Sequence, residues 1–189
     1  MFHNISMFDQ NLLLWIQDTL QTPVLTSFFT FLTRLGDAGM IWILMSVCLL
    51  LSKRTRTIGI MALCSLGFTY IIDNVILKNL IGRIRPYEVI QGLQCLIERQ
   101  NDFSFPSGHT GSSFAVAVVL LLKLPKKYGI PALLLAALIG FSRLYLGVHY
   151  PTDVLCGALV GTMIAVCVCC IGNLIAEWYA KRKGTVYDN

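Results

Sequence analysis

Charge is scarce in this sequence. Only 13% of its 189 residues are Asp, Glu, Lys or Arg, while 56% are hydrophobic. A soluble domain carries about 25% charged residues. The shortage excludes a disordered chain, which needs low hydrophobicity and high charge, and argues against a soluble globular domain. Internal repeats and low-complexity linkers are missing, so residues 1–189 read as a single integral-membrane domain. The start lacks the basic n-region and cleavage site of a signal peptide. No Cys-x-x-Cys pair is joined by a second pair or by histidines, so no zinc site is expected. Cys167, Cys169 and Cys170 stand in an apolar run and read as small packing residues. Tight acidic clusters suited to hard cations are missing as well.

What is present is a series of runs without any charge: 38–52, 57–72, 103–122, 128–142 and 154–176. A helix of fifteen residues reaches only about 22 Å, so the shorter runs need flanking residues to cross a core of about 30 Å. For the second run the extension is natural, because Asp73 is the only charge before Lys78. Asp73 is expected to bond across helices or to snorkel. Period-2 alternation is absent, and backbone satisfaction in lipid then demands helices. The expected fold is all-α: a polytopic membrane helix bundle of five to six transmembrane helices plus N-terminal interfacial helices. Residues 1–36 are expected to lie at the interface, since 11–16 and 24–35 are short and Pro23 interrupts them; one broken span is the alternative. Residues 37–178 form the bundle, and 179–189 a cytoplasmic tail.

Basic residues cluster at Lys53, Arg54 and Arg56, at Lys123, Lys126 and Lys127, and at Lys181, Arg182 and Lys183. With five crossings these clusters share one side, which the positive-inside rule makes cytoplasmic. The other side collects Asp37, Glu88, Glu98, Asp102 and Asp153 with Lys78, Arg83, Arg85, Arg99 and Arg143. The net charge of +5 therefore reflects topology, and no nucleic-acid partner is expected.

Three constellations fall on that other side. In the first, Lys78 precedes Arg85 by two helical turns, which puts both on roughly one helix face, and Pro86 stops the helix. Basic residues capping a helix end would read the same way. In the second, Pro106-Ser107-Gly108-His109 opens an apolar run. Ser107 is a candidate N-cap, Gly108 admits a close ligand, and exposed N–H groups at a helix start bind anions. An ordinary capped helix with an interfacial histidine is the alternative. In the third, Ser142-Arg143 leads to His149 and then Asp153. Four residues apart, the last two can face each other, and an Asp on one ring nitrogen leaves the other as base or nucleophile. A merely acidic first turn beside a loop histidine would give the same letters. His3 has no such context and reads as a surface residue. Taken together, three cations, two histidines and a carboxylate are a phosphate-handling set.

The pattern Lys-six-Arg-Pro, Pro-Ser-Gly-His and Ser-Arg-five-His-three-Asp resembles the type 2 phosphatidic acid phosphatase superfamily, with every fixed position present between Lys78 and Asp153. The resemblance implies His149 as the nucleophile that forms a phosphohistidine and Asp153 as its orienting partner. It implies His109 as general acid, then as base for water. Lys78, Arg85, Arg143, Ser107 and the Gly108 backbone N–H would hold the phosphoryl oxygens, with no metal and no cofactor. Opposed protonation of the two histidines implies a bell-shaped rate within about pH 4–9.

The expected substrate is a lipid phosphate or diphosphate reached laterally from the bilayer. The loop of residues 87–102 is too short for a separate recognition domain. In small size and few spans the chain resembles bacterial members of that superfamily, and the resemblance implies undecaprenyl diphosphate, with phosphatidylglycerophosphate and phosphatidic acid behind it. The expected place is the plasma membrane, with the site on the extracytoplasmic face. A lipid-linked phosphotransferase and a small membrane transporter are the rival readings. A haloperoxidase shares the motifs but is typically soluble.

Overall fold

Apolar runs without alternation fold as helices throughout the described residues. The structure is a computed structural model that describes residues 2–187, and the side chains of residues 7–182. The side chain of His3 lies outside the described residues. Helix α1 spans Phe2–Leu20 and α2 spans Pro23–Leu35. Thr22 caps α2 by accepting the Leu25 N–H at 3.3 Å, and Pro23 occupies the first helical position. A 3-10 turn, Asp37–Gly39, then bends the chain by 46° into α3, Met40–Leu50. Helix α4, Arg56–Tyr70, continues through a π-helical stretch, Ile71–Leu77, into α5, Lys78–Ile81. After the short α6, Pro86–Val89, come α7 (Gly108–Lys123), α8 (Lys126–Tyr145) and α9 (Pro151–Tyr187).

The chain is a multi-pass membrane protein. Arg56–Val89, Lys126–Tyr145 and Pro151–Arg182 are long and apolar enough to cross a bilayer, and the bent pair Pro23–Leu35 with Asp37–Leu50 makes a fourth if it counts as one span. Two of the expected runs are shorter as helices. The run 38–52 holds only the 11 residues of α3. The run 103–122 becomes helical only at Gly108, giving α7 16 residues, or about 24 Å at 1.5 Å per residue. Helix α9 continues to Tyr187, so most of the expected tail is helical.

Helix α2 crosses the C-terminal end of α8. Thr26 Oγ1 lies 3.1 Å from the Tyr145 hydroxyl, Phe29 packs on Phe141 and Tyr145, and Arg143 reaches Thr33. Helix α1 is held at the same end, with Gln21 donating to the Tyr145 carbonyl at 3.1 Å and Gln17 to that of Gly92 at 3.1 Å. Both helices thus meet the bundle where α8 ends. Because α4 and α8 end there while α7 and α9 begin there, the three basic clusters fall at the opposite ends of these helices.

Helix α7 is the axis of the core, with Ala115, Val116, Ala117, Val119 and Leu120 at most 2% exposed. Trp42 Nε1 donates to Ser113 Oγ at 2.8 Å and Ser65 to the Ala115 carbonyl at 3.0 Å, tying α3 and α4 to it. Helix α9 docks through Gly157 and Gly161. A Cβ at Gly157 would sit 2.6 Å from the Ser107 carbonyl oxygen, and one at Gly161 would meet the Gly111 carbonyl. The Gly-x-x-x-Gly pair therefore serves a contact within the chain. Asp73 departs from expectation: it is fully buried, yet neither carboxylate oxygen has a hydrogen-bond partner among the described residues. It packs against Gly111 instead of bonding across helices.

Overpacking a tight core costs about 1–3 kcal/mol. Gly157→Val should therefore lower the unfolding midpoint in detergent by several degrees. Gly67→Ala, where nothing lies within 4 Å of the added carbon, should leave the midpoint unchanged or raise it, since Ala in a helix interior is favoured over Gly by about 0.5–1 kcal/mol. Equal midpoints for the two variants would contradict the docking contact.

Candidate active site

Three cations are buried at the end of the bundle that α1 and α2 cover: Lys78 is 6% exposed, Arg85 2% and Arg143 0%. Lys78 and Arg85 do not share a helix face, contrary to the spacing argument. Gly82 adopts a left-handed conformation (φ 59°) and ends the helix at Ile81, so Arg85 is extended (φ −71°, ψ 148°) and Pro86 begins α6 rather than stopping a helix. The two side chains meet through Asp102 instead. Lys78 pairs with one carboxylate oxygen, and Arg85 Nη2 donates to the other at 2.5 Å. Burial pushes the Asp102 carboxyl up, but the Lys78 and Arg85 charges outweigh that and hold it at about 2. Arg85 also donates through Nε to the Asp102 carbonyl and through Nη1 to the Val148 carbonyl, both at 2.9 Å. Arg143 donates to Thr33 Oγ1 at 2.6 Å, while its Nε and Nη2 have no acceptor among the described residues. Buried donors left open in this way suit an anion.

His149 is buried, and its Nδ1 lies 3.4 Å from Asp153 Oδ2. Helix α9 begins at Pro151, so the pair does not face along a helix. Asp153 sits in the first turn and reaches back to accept the Tyr150 N–H at 3.0 Å, as the third residue of a capping box does. Ser104 donates to the same oxygen at 2.5 Å, and Arg83 donates to Oδ1 at 2.6 Å. On the other side of the ring, Nε2 lies 3.4 Å from Arg85 Nη1. Arginine has no acceptor. The ring is therefore best satisfied with its proton on Nδ1 and a lone pair on Nε2. Burial pushes the His149 ring down to about 3; Asp153 opposes the fall, and the charges of Arg85 and Arg143 deepen it.

Ser107 stands at the N-cap position of α7, but its side chain makes no capping bond. Its hydroxyl accepts from Thr110 at 2.9 Å and its N–H donates to the Asp153 carbonyl at 3.1 Å. The first turn of α7 thus keeps the unpaired N–H groups of any helix start. Gly108 does admit a close neighbour, and in this structure it is Asn74, whose Oδ1 would lie 2.7 Å from an added Cβ. His109 Nε2 bonds Asp37 Oδ1 at 2.9 Å. Gly36 leaves room for the His109 ring, since a Cβ there would come within 2.9 Å of it.

Lys78, Asp102, Gly108, His109 and His149 line one cavity of about 650 Å³, whose remaining wall includes Ile43, Leu63, Leu66 and Tyr70. Among the described residues no group of three His, Cys, Asp or Glu side chains could hold a metal ion.

Sequence spacing did not disclose Thr33, Asp37, Arg83, Asp102 or Ser104 as partners of the site. Topology had put Asp37, Arg83 and Asp102 on the correct face, but nothing marked Thr33 or Ser104. Arg83 also pairs with Asp9 at 2.7 Å, and Asp9 accepts from the Thr152 hydroxyl at 2.6 Å, so α1 is fastened to the start of α9.

The family model described as the PAP2 superfamily matches residues 58–176. The chain is similar to an undecaprenyl-diphosphatase of Sulfolobus acidocaldarius, with 35% identity over 77% of this chain and 69% of that protein. It is also similar to the undecaprenyl-diphosphatase BcrC of Bacillus subtilis, with 33% identity over 75% and 71%. Among solved structures, it resembles a transmembrane PAP2 type phosphatidylglycerolphosphate phosphatase from Bacillus subtilis. There the TM-score is 0.75 and the identity 28%, covering 91% of this chain and 88% of that one.

The buried ring sets a pH expectation. His149 should remain neutral, with its proton on Nδ1, down to about pH 4. The acid limb assigned to it then falls below the window expected from the motif alone. A nitrogen-15 titration of labelled histidine in detergent checks this, with His149→Gln assigning the signal. Protonation near the ordinary value of about 6.5 would contradict the site geometry.

Proposed function

The chain belongs to the PAP2 superfamily, and on that premise we propose that it removes the terminal phosphate of undecaprenyl diphosphate through a phosphohistidine at His149. The enzyme is a membrane lipid phosphatase; the substrate and the residue roles are the proposal. His149 Nε2 attacks phosphorus as the bond to the leaving oxygen breaks, and His109 gives that oxygen its proton. His109 then takes a proton from water, which attacks the phosphohistidine, breaks the N–P bond and releases inorganic phosphate. Asp153 orients His149. Asp37 holds the His109 ring in place through its Nε2. Lys78, Arg85, Arg143, Ser107 and the Gly108 N–H hold the phosphoryl oxygens, and their charge stabilises the transferring group.

The cavity carries the reading. It joins His149, His109 and Lys78 to an apolar wall of Ile43, Leu63, Leu66 and Tyr70. Leu63 precedes Lys78 by fifteen residues on one continuous helix, or about 22 Å at 1.5 Å per residue. A phosphate at the cations could thus keep its hydrocarbon chain along α3 and α4, within the bilayer. A second, polar cavity of about 360 Å³ lined by Thr30, Arg34, Asp37, Glu98 and Arg99 lies on the other side of Asp37 and offers water a route. The basic clusters at the opposite ends of the helices support an extracytoplasmic site in the plasma membrane. The likeness to a phosphatidylglycerolphosphate phosphatase over 91% of the chain favours that lipid as the second reading.

Purified enzyme in detergent, with excess chelator, should release phosphate fastest from undecaprenyl diphosphate, ahead of phosphatidylglycerophosphate and phosphatidic acid. His149→Ala should reduce the rate by about 10³-fold or more. A faster rate on phosphatidylglycerophosphate would replace the substrate. Release unaffected in His149→Ala would remove the mechanism.

A further inference from the structure

Asp102 stands where a phosphoryl group would have to bind. Its two carboxylate oxygens are divided between Lys78 and Arg85, as two oxygens of a bound phosphate would be. Exposure within this cluster is unequal. The Asp102 side chain is 53% exposed, while those of Lys78 and Arg85 are 8% and 2% exposed. The carboxylate can therefore turn out to water while Arg85 stays buried and Lys78 remains almost wholly so. Asp102 lies outside any helix, in the segment between α6 and α7. It borders the cavity that holds both histidines and an outer cavity of about 480 Å³ that Lys78 also lines, with Tyr70, Asn74, Asn79, Asn101 and Phe103. The outer cavity gives the displaced side chain somewhere to go.

We propose that Asp102 is an internal stand-in for the substrate phosphate, which neutralises Lys78 and Arg85 in the resting enzyme and is displaced when a phosphoryl group arrives. The proposal rests on the reading of this site as a phosphoryl pocket. Two buried cations without a counter-charge are strongly unfavourable, so an empty pocket needs an anion of its own. A singly charged carboxylate offers two oxygens. A terminal phosphate brings more charge and a third oxygen, and Arg143, whose Nε and Nη2 are buried without an acceptor among the described residues, adds its charge to the attraction. The exchange therefore runs toward the substrate. It weakens the apparent affinity by the fraction of time that Asp102 leaves the pocket open.

Two measurements on the full chain in detergent test this, with orthovanadate and inorganic phosphate as probes. In the wild-type enzyme, saturating vanadate should speed amide hydrogen exchange in residues 98–105, because displacement frees that segment, while exchange in the first turn of α7 slows. In Asp102→Asn, the inhibition constants for vanadate and phosphate should fall by about tenfold. The melting temperature of the ligand-free variant should drop, and vanadate should restore it. Slower or unchanged exchange at 98–105 in the wild type would make Asp102 a fixed orienting group and overturn the proposal, even if the variant binds anions more tightly, because loss of a charge alone would do that. Equal or weaker binding by a folded variant would overturn it too. If the variant does not fold, the wild-type exchange result decides alone. Failure of both proteins to bind either anion would remove this proposal and the phosphoryl-pocket reading with it.

Discussion

Lys78, Arg85 and Arg143 repel one another, and all three are buried at the edge of an apolar bundle. The rest of the site can be understood as the means by which that arrangement is tolerated. Asp102 neutralises two of the cations, and the Val148 carbonyl and Thr33 hydroxyl take further donors. Two donors of Arg143 remain open. A site with unspent positive charge in a low-dielectric setting is suited to a phosphoryl group and to the charge that moves during transfer. Burial, reinforced by the same field, keeps His149 neutral, which is the state a nitrogen nucleophile requires.

Holding these charges in place is the task of the helix packing. Gly157 and Gly161 bring α9 against the backbone of α7, and the Ser107 N–H reaches the Asp153 carbonyl. The Ser107–His109 turn and the His149–Asp153 turn are therefore fixed to each other by main chain. Gly147, left-handed at φ 71°, turns the chain sharply between Arg143 and His149, and the backbone of Gln94 fills the space its missing side chain leaves. Arg83 joins Asp153 to Asp9, so that α1 braces the orienting carboxylate from outside the bundle.

Most of the site's chemistry was legible in the sequence because it is carried by residue types at short spacing. His149 and Asp153 come together within one turn, and Ser107, Gly108 and His109 are consecutive. The failures have physical causes. The Lys78–Arg85 spacing assumed a continuous helix, and a single left-handed glycine, Gly82, ended it first. Asp37, Asp102 and Ser104 reach the site from loops, where no periodicity records which side chain meets which. Asp73 was expected to find a polar partner, but the small residues that let α7 approach, Gly111 above all, have no side chain to offer one. The multi-helix membrane fold was visible in composition. The bend between α2 and α3 was not, because it depends on backbone conformations at Ala38 and Gly39.

The central claim is that His149 carries the phosphoryl group. A single turnover of undecaprenyl diphosphate labelled with phosphorus-32 in its terminal phosphate, quenched in alkaline detergent, tests this most directly. The account predicts transient label on the peptide containing His149, stable to base and lost in acid, absent from His149→Asn and accumulating in His109→Ala. Phosphate released at the normal rate with no label ever on the protein would contradict it.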